Sequence, residues 1–199
     1  LMEMTFNGTT NGWDSKQNVH VRVRDFGTVF AVDRLAPDEW FPEVSNYYHQ
    51  LIDNLRRSGF EDGRTIFAAA YDWRRGFHES WATDAAELVE AAFSSSGGKK
   101  VVLVSHSMGA PMTYEMLLRK PLEWRRKFIE RWIPIGPVFT GAPLSLYSFL
   151  ADALLGLPGV FGQIGAISKK LGGFWFILPN MQFKGDVVTT PEHRYDPGN

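Results

Sequence analysis

An apolar run, Val101-Val102-Leu103-Val104-Ser105, passes with almost no linker into a helical pattern that extends from about Met108 to Arg119. A run this short and this apolar predicts a strand buried inside a sheet, and the abrupt change of pattern predicts a sharp strand-to-helix turn at its end. The same alternation recurs on both sides. Residues 65–70 read as a buried strand, followed by a helix marked by Trp81, Ala85, Leu88, Val89, Ala92 and Phe93 and ended by Ser94-Ser95-Ser96-Gly97-Gly98. Residues 125–131 read as a short helical piece and 132–138 as another strand. Strands alternating with helices predict an α/β domain with a mostly parallel sheet and flanking helices. Ligands of such sheets sit beyond the carboxyl ends of the strands, so the chemistry is expected just after residues 70, 105 and 138.

The remaining segments read less sharply. Residues 1–17 are polar, rich in Gly, Asn and Thr, and read as loop; Asn7-Gly8-Thr9 fits either a glycosylation sequon or a plain turn. Val19, Val21 and Val23 alternate with His20, Arg22 and Arg24, and residues 28–32 follow after Asp25-Phe26-Gly27, a pattern that predicts an exposed β-ribbon. Between 38 and 57 the apolar positions Trp40, Phe41, Val44, Tyr47, Tyr48, Leu51, Ile52 and Leu55 predict one amphipathic helix, opened by Pro37-Asp38 and closed by Ser58-Gly59.

Composition narrows the function. With 21 Lys+Arg against 22 Asp+Glu the chain has no basic field for phosphates, so a nucleic-acid partner is not expected. The absence of cysteine excludes a disulfide scaffold, thiolate metal sites and a cysteine nucleophile. At 199 residues and 44% hydrophobic content the chain can bury a core, and an aromatic share of 14% suggests apolar ligand contacts besides. The first residues, Leu1-Met2-Glu3-Met4, carry no signal-peptide pattern, and the last, Tyr195-Asp196-Pro197-Gly198-Asn199, favour a turn; either end is compatible with a cut.

Ser105-His106-Ser107-Met108-Gly109 has the spacing of the G-x-S-x-G nucleophile elbow, with Ser in the place of the first Gly. Small residues two positions to either side are expected where strand and helix press together. A serine on such a turn presents its hydroxyl at the sheet's carboxyl edge, beside a helix N-terminus that favours negative charge. Ser107 is therefore the candidate nucleophile and the backbone N–H of Met108 the candidate oxyanion donor. His106 diverges from its neighbour on the turn and reads as structural.

After residue 70, Asp72 and Trp73 either line a substrate pocket or lock their loop through a buried carboxylate and aromatic packing. Phe139, after the strand at 132–138, is a pocket candidate on the same grounds. In residues 144–179 the charged side chains are Asp152, Lys169 and Lys170, and Gly156, Gly159, Gly162 and Gly165 recur every three residues around Pro158. Ala153 to Ser168 is too short and too rich in Gly for a membrane span, which leaves buried core or an apolar lid over the site.

Four stretches together resemble the lecithin:cholesterol acyltransferase-like lipases and acyltransferases: Val21-Arg22-Val23 with Asp25-Phe26-Gly27; Ala70-Tyr71-Asp72-Trp73-Arg74; residues 101–109; and Trp132-Ile133-Pro134-Ile135-Gly136-Pro137-Val138-Phe139-Thr140-Gly141-Ala142-Pro143. The resemblance implies an α/β-hydrolase fold and an acyl-enzyme on Ser107. It implies a phospholipid or other lipid ester donor at a membrane or lipoprotein surface, transfer to a sterol, a glycerolipid or water, and a secretory-pathway or membrane-associated setting. It implies a lid-like insertion at 144–179 and no cofactor or metal. It also implies an acid and a base well after the nucleophile and a second oxyanion donor on an early strand–loop element.

Downstream of Ser107 the one histidine is His193, seven residues from Asp186, too close for the separate strand-end loops of a triad. His193 accordingly reads as a loop residue, with Asp186 and Asp152 the available acids. The expectation is a partial α/β-hydrolase domain over 1–199, incomplete at both ends and inactive alone. The alternative is a lipid-binding domain that keeps the fold without catalysis.

Overall fold

The computed structural model describes residues 3–35, 45–150, 167–182, 184–189, 191 and 194–197. In chain order its elements are β1 (Met4–Asn7), β2 (Gly12–Ser15), α1 (Phe30–Asp33), α2 (His49–Arg57), a 3-10 turn (Trp73–Arg75), α3 (Glu79–Ser95), β3 (Val101–His106), α4 (Gly109–Leu118), α5 (Leu122–Phe128), β4 (Ile129–Ile135), α6 (Pro143–Leu150), α7 (Gly172–Phe176), β5 (Val188–Thr189) and β6 (Arg194–Tyr195).

The centre is the parallel pair β3·β4, in register from Val102↔Arg131 to His106↔Ile135, with α4 and α5 between the two strands in sequence. Side chains alternate across a strand, so the pair has two faces. Leu103 points into a core built from Trp81, Ala82, Ala85 and Ala86 of α3 and Met112 and Met116 of α4. The small residues of α3 let the helix come close, and its Trp81 indole donates to the Ala69 carbonyl at 3.2 Å. On the other face Val102, Val104, Ile133 and Ile135 remain 42–46% exposed. A second core joins β1 to α6 and α7 through Met4, Phe149, Leu171 and Phe174, and a third joins Val29, Ile52 and Ile66. Burying side chains of this size contributes about 1.5–3 kcal/mol each.

The helices at 79–95 and 109–118 and the strand at 101–106 fall where periodicity puts them. Other segments differ. Residues 4–15, read as loop, form the antiparallel hairpin β1·β2, because the Asn7 side chain caps its turn by accepting from the Thr9 and Thr10 N–H groups. The expected ribbon at 19–32 has no ladder among the described residues. Asp25 (φ 51°) and Gly27 (φ 92°) bend the chain there, and residues 30–33 are helical.

Residues 65–70 form no strand, and Thr65 belongs to a turn in which its N–H donates to the Glu61 carbonyl at 2.9 Å. Their pairing is the bridge Asp62↔Ile66 and two backbone bonds between Ala68 and Gly27, at 3.0 and 3.4 Å. The amphipathic pattern of 38–57 is helical from His49; residues 36–44 lie outside the described residues. Tyr47 and Tyr48 instead donate backbone N–H groups to Asp33 and Val32, beside the antiparallel bridge Arg34↔Asn46. The helix expected at 125–131 ends at Phe128, and β4 takes residues 129–131. Of the three two-stranded sheets among the described residues one is parallel and two are hairpins, so the mostly parallel sheet is represented by β3·β4.

The flanks of the 144–179 segment are packed. Ser145, Ser148, Ser168 and Leu171 are buried, and the Ser145 hydroxyl donates to the Ala142 and Ile177 carbonyls. The intervening residues 151–166, with the glycine repeat and Asp152, lie outside the described residues. No helix among the described residues is long and apolar enough to cross a membrane.

Candidate functional site

Ser107 stands between β3 and α4 with φ 51°, in the left-handed region that side chains other than glycine avoid. That conformation costs about 1–2 kcal/mol and persists only where the surroundings enforce it. The enforcement is visible on both sides. The Ser107 N–H donates to the Ile135 carbonyl at 3.0 Å, which carries the β3·β4 pairing one residue past the strand, and the Ser107 carbonyl accepts from Ala110 at 3.1 Å. Met108 occupies the cap position of α4, and its carbonyl accepts from Met112. A Cβ on Gly109 would lie 3.8 Å from both the Ser105 Cβ and the Tyr71 hydroxyl, so the turn has room for a methyl group there, more than the motif demands.

The sheet holds the turn from below. Ser105 is buried and its hydroxyl accepts the Trp132 indole N–H at 2.8 Å, which ties β3 to β4 side by side. His106 shares a 2.5 Å hydrogen bond from Nδ1 with the Tyr47 hydroxyl, the two rings meeting edge to face at 5.4 Å. Among the described residues no histidine nitrogen is hydrogen-bonded to the Ser107 hydroxyl. Asp186 is 3.4 Å from Arg194, while His193 lies outside the described residues.

Burial raises the pKa of the Tyr47 phenol, pushes Tyr48 up to about 12, with the neighbouring Tyr47 adding to it, and raises Tyr71 further still. These hydroxyls therefore keep their protons at neutral pH. His78, whose Nδ1–H donates to the Gly76 carbonyl at 3.2 Å, is shifted the other way, because burial disfavours its charged form.

Asp72 caps the 3-10 turn by accepting from the Arg74 N–H, and both its oxygens accept from the Arg74 guanidinium, at 2.9 Å from Nε and 2.7 Å from a terminal nitrogen. Arg74 is 3% and Asp72 12% exposed. The Asp72 carboxylate is thus committed to a buried pair that fixes the loop. Trp73 is 40% exposed, with its ring edge-on to Phe174 of α7.

Phe139, 41% exposed, meets Tyr114 and Trp132 edge to face at 5.9 and 5.8 Å, while those two rings stack at 6.3 Å. The three line one wall of a cleft of about 560 Å³ that also includes Pro111, Val138 and Phe176. A second cleft of about 580 Å³ runs past Asp72, between Tyr71, Trp81 and His78 on one side and residues 19–23 on the other. Sequence patterns gave Tyr47 as a helix position and Trp132 as part of a strand, with no role at the site, and did not mark Tyr114. Each reaches its place through a contact distant in sequence, and the local cue was aromaticity alone. Among the described residues no cluster of three or more His, Cys, Asp or Glu is arranged to hold a metal.

A strained serine between a parallel strand and a helix stands where the elbow spacing of the sequence puts it. The chain belongs to the lecithin:cholesterol acyltransferase family, which it matches over residues 1–196. It is 32% identical over 147 residues to the bovine and to the human lysosomal phospholipase A and acyltransferase, an alignment covering 73% of this chain and 35% of each relative. It is 31% identical over 141 residues to human phosphatidylcholine-sterol acyltransferase, covering 70% of this chain and 31% of that one. The chain spans about a third of the length of these curated relatives.

Proposed function

We propose that the protein carrying this chain is a serine-dependent lipid acyl hydrolase or O-acyltransferase of the α/β-hydrolase fold, with Ser107 as its nucleophile. The observation that carries the reading is the left-handed conformation of Ser107 at the junction of β3 and α4, joined to family membership. The relatives' names, a phospholipase A and acyltransferase and a phosphatidylcholine-sterol acyltransferase, favour a phospholipid acyl ester as donor; that it is met at a membrane or lipoprotein surface is part of the proposal.

In the proposed reaction the Ser107 Oγ attacks the acyl carbonyl while a base takes its proton. The tetrahedral oxyanion accepts the Met108 N–H. Collapse breaks the ester bond, and the protonated alcohol of the lysophospholipid leaves. An acceptor hydroxyl, from a sterol, a glycerolipid or water, then attacks the acyl-enzyme, gives up its proton to the same base and frees Ser107. Phe139, half exposed just after β4, lines the acyl pocket; Trp73, half exposed in the 3-10 turn, extends it, and Asp72 holds that turn through Arg74. The segment 144–179 is the lid, rooted by its packed flanks α6 and α7.

Hydrolysis of phosphatidylcholine vesicles by the full natural chain, compared with Ser107→Ala, tests the proposal. Loss of at least 10³-fold is expected on removal of a catalytic nucleophile. Residues 1–199 alone are expected to show negligible turnover. A second reading is a lipid-binding domain that keeps the fold and the elbow without catalysis. Lipid binding that survives Ser107→Ala, with no turnover by the full chain, would favour it.

A further inference from the structure

We propose that Tyr47 is a positioning residue for Ser107, acting through His106 from the sheet face opposite Leu103. The inference rests on the reading of Ser107 as nucleophile. His106 is the last residue of β3, and Ser107 must leave it in a left-handed conformation. A strained turn keeps its geometry only if both ends are fixed. The far end is fixed by the first turn of α4. At the near end, Val102, Val104 and His106 share the sheet face that α3 and α4 do not cover, and along it Val102 and Val104 stay half exposed. His106 differs, because its imidazole is bonded to the Tyr47 hydroxyl.

Tyr47 is itself anchored. Its N–H donates to Asp33 at 3.0 Å, and the adjacent bridge Arg34↔Asn46 holds the segment on α1. Its ring packs edge-on to Tyr48 at 4.8 Å, and Tyr48 packs into the core of Val29, Ile52 and Ile66. On the far side of the imidazole, Gly136 turns with φ 50°, and a Cβ there would stand 4.0 Å from His106 Nε2. The imidazole thus lies between a phenol fixed to the α1–α2 unit and the loop leaving β4, in the residue before the strained serine. Without the phenol hydroxyl, His106 loses that tie, and the turn can relax toward an unstrained conformation that withdraws the Ser107 Oγ.

The test is the second-order rate at which a fluorophosphonate labels Ser107 in the full natural chain, measured well below the melting temperature. Tyr47→Phe, which keeps the ring, is expected to label about tenfold more slowly, equivalent to about 1.4 kcal/mol in the barrier. His106→Ala should lose a similar factor, and the double variant no more than the worse single one, since both remove the same bond. His106→Asn, which keeps a hydrogen-bonding group, should recover part of the loss. Labelling of Tyr47→Phe at the wild-type rate, or losses that multiply in the double variant, would overturn the proposal while leaving the nucleophile in place. A wild-type chain that does not label at Ser107 would instead overturn the nucleophile reading, and this proposal with it.

Discussion

Gly173 of α7 sits against the carbonyl of Trp73 so closely that a Cβ built on it would lie 2.0 Å from that oxygen and 3.5 Å from the Met108 Cε. The missing side chain is what allows α7 to pack directly on the turn after Tyr71 and to reach the residue that follows the candidate nucleophile. The C-terminal flank of the proposed lid therefore lies beside the elbow, with no room for a side chain at Gly173.

Gly173→Ala must displace backbone, so it is expected to cost about 1–3 kcal/mol, the usual range for overpacking a tight junction. Gly109→Ala should behave in the opposite way. Its methyl group meets nothing nearer than 3.8 Å, and alanine at a position whose backbone it can adopt stabilises by about 0.4–1 kcal/mol through the lower entropy of the unfolded chain. Thermal melts of the two variants check the contrast; equal effects would mean that the close approach of α7 to Trp73 is not real.

The buried pair Asp72–Arg74 makes a second prediction. Asp72→Ala removes the carboxylate from a guanidinium that is 3% exposed and that also donates to the Ser15 hydroxyl at 3.3 Å; breaking a buried pair from one side costs about 3–5 kcal/mol, and the bonds Arg74 keeps put this variant at the low end. The urea midpoint should fall with an unchanged slope. A shift under 1 kcal/mol would show that water reaches Arg74 freely.

Acid sensitivity has a local source at Glu3. Hydrogen bonds from Lys16 first and Lys170 second hold its carboxyl at about 2, below the ordinary 4.5. A carboxylate depressed in the fold stabilises it above the ordinary value and loses that contribution as the pH falls toward the folded value, because the unfolded chain binds the proton first. Wild type and Glu3→Gln should therefore differ in urea midpoint at neutral pH and converge between about pH 4.5 and 2. A difference independent of pH would contradict the tie between β1 and the start of α7.

What the sequence revealed and what it hid follow from the kind of interaction involved. The strand at 101–106, the helices around it and the sharp turn at Ser107 were legible because periodicity, caps and the elbow spacing are local. Val19, Val21 and Val23 alternate as a strand would, yet no partner lies beside them among the described residues, and a pattern cannot report a missing neighbour. The hairpin at 4–15 was hidden in polar residues whose turn depends on one asparagine side chain. The link from Tyr47 to His106 spans 59 residues, and only the folded chain brings the two rings together.

The central claim is that Ser107 is an activated nucleophile. Incubating the full natural chain with a fluorophosphonate and mapping the adduct by peptide mass spectrometry tests it directly. The account predicts one adduct, on Ser107, absent from the Ser107→Ala variant and from heat-unfolded protein. No adduct on Ser107, or labelling of another residue at the same rate in Ser107→Ala, would contradict it.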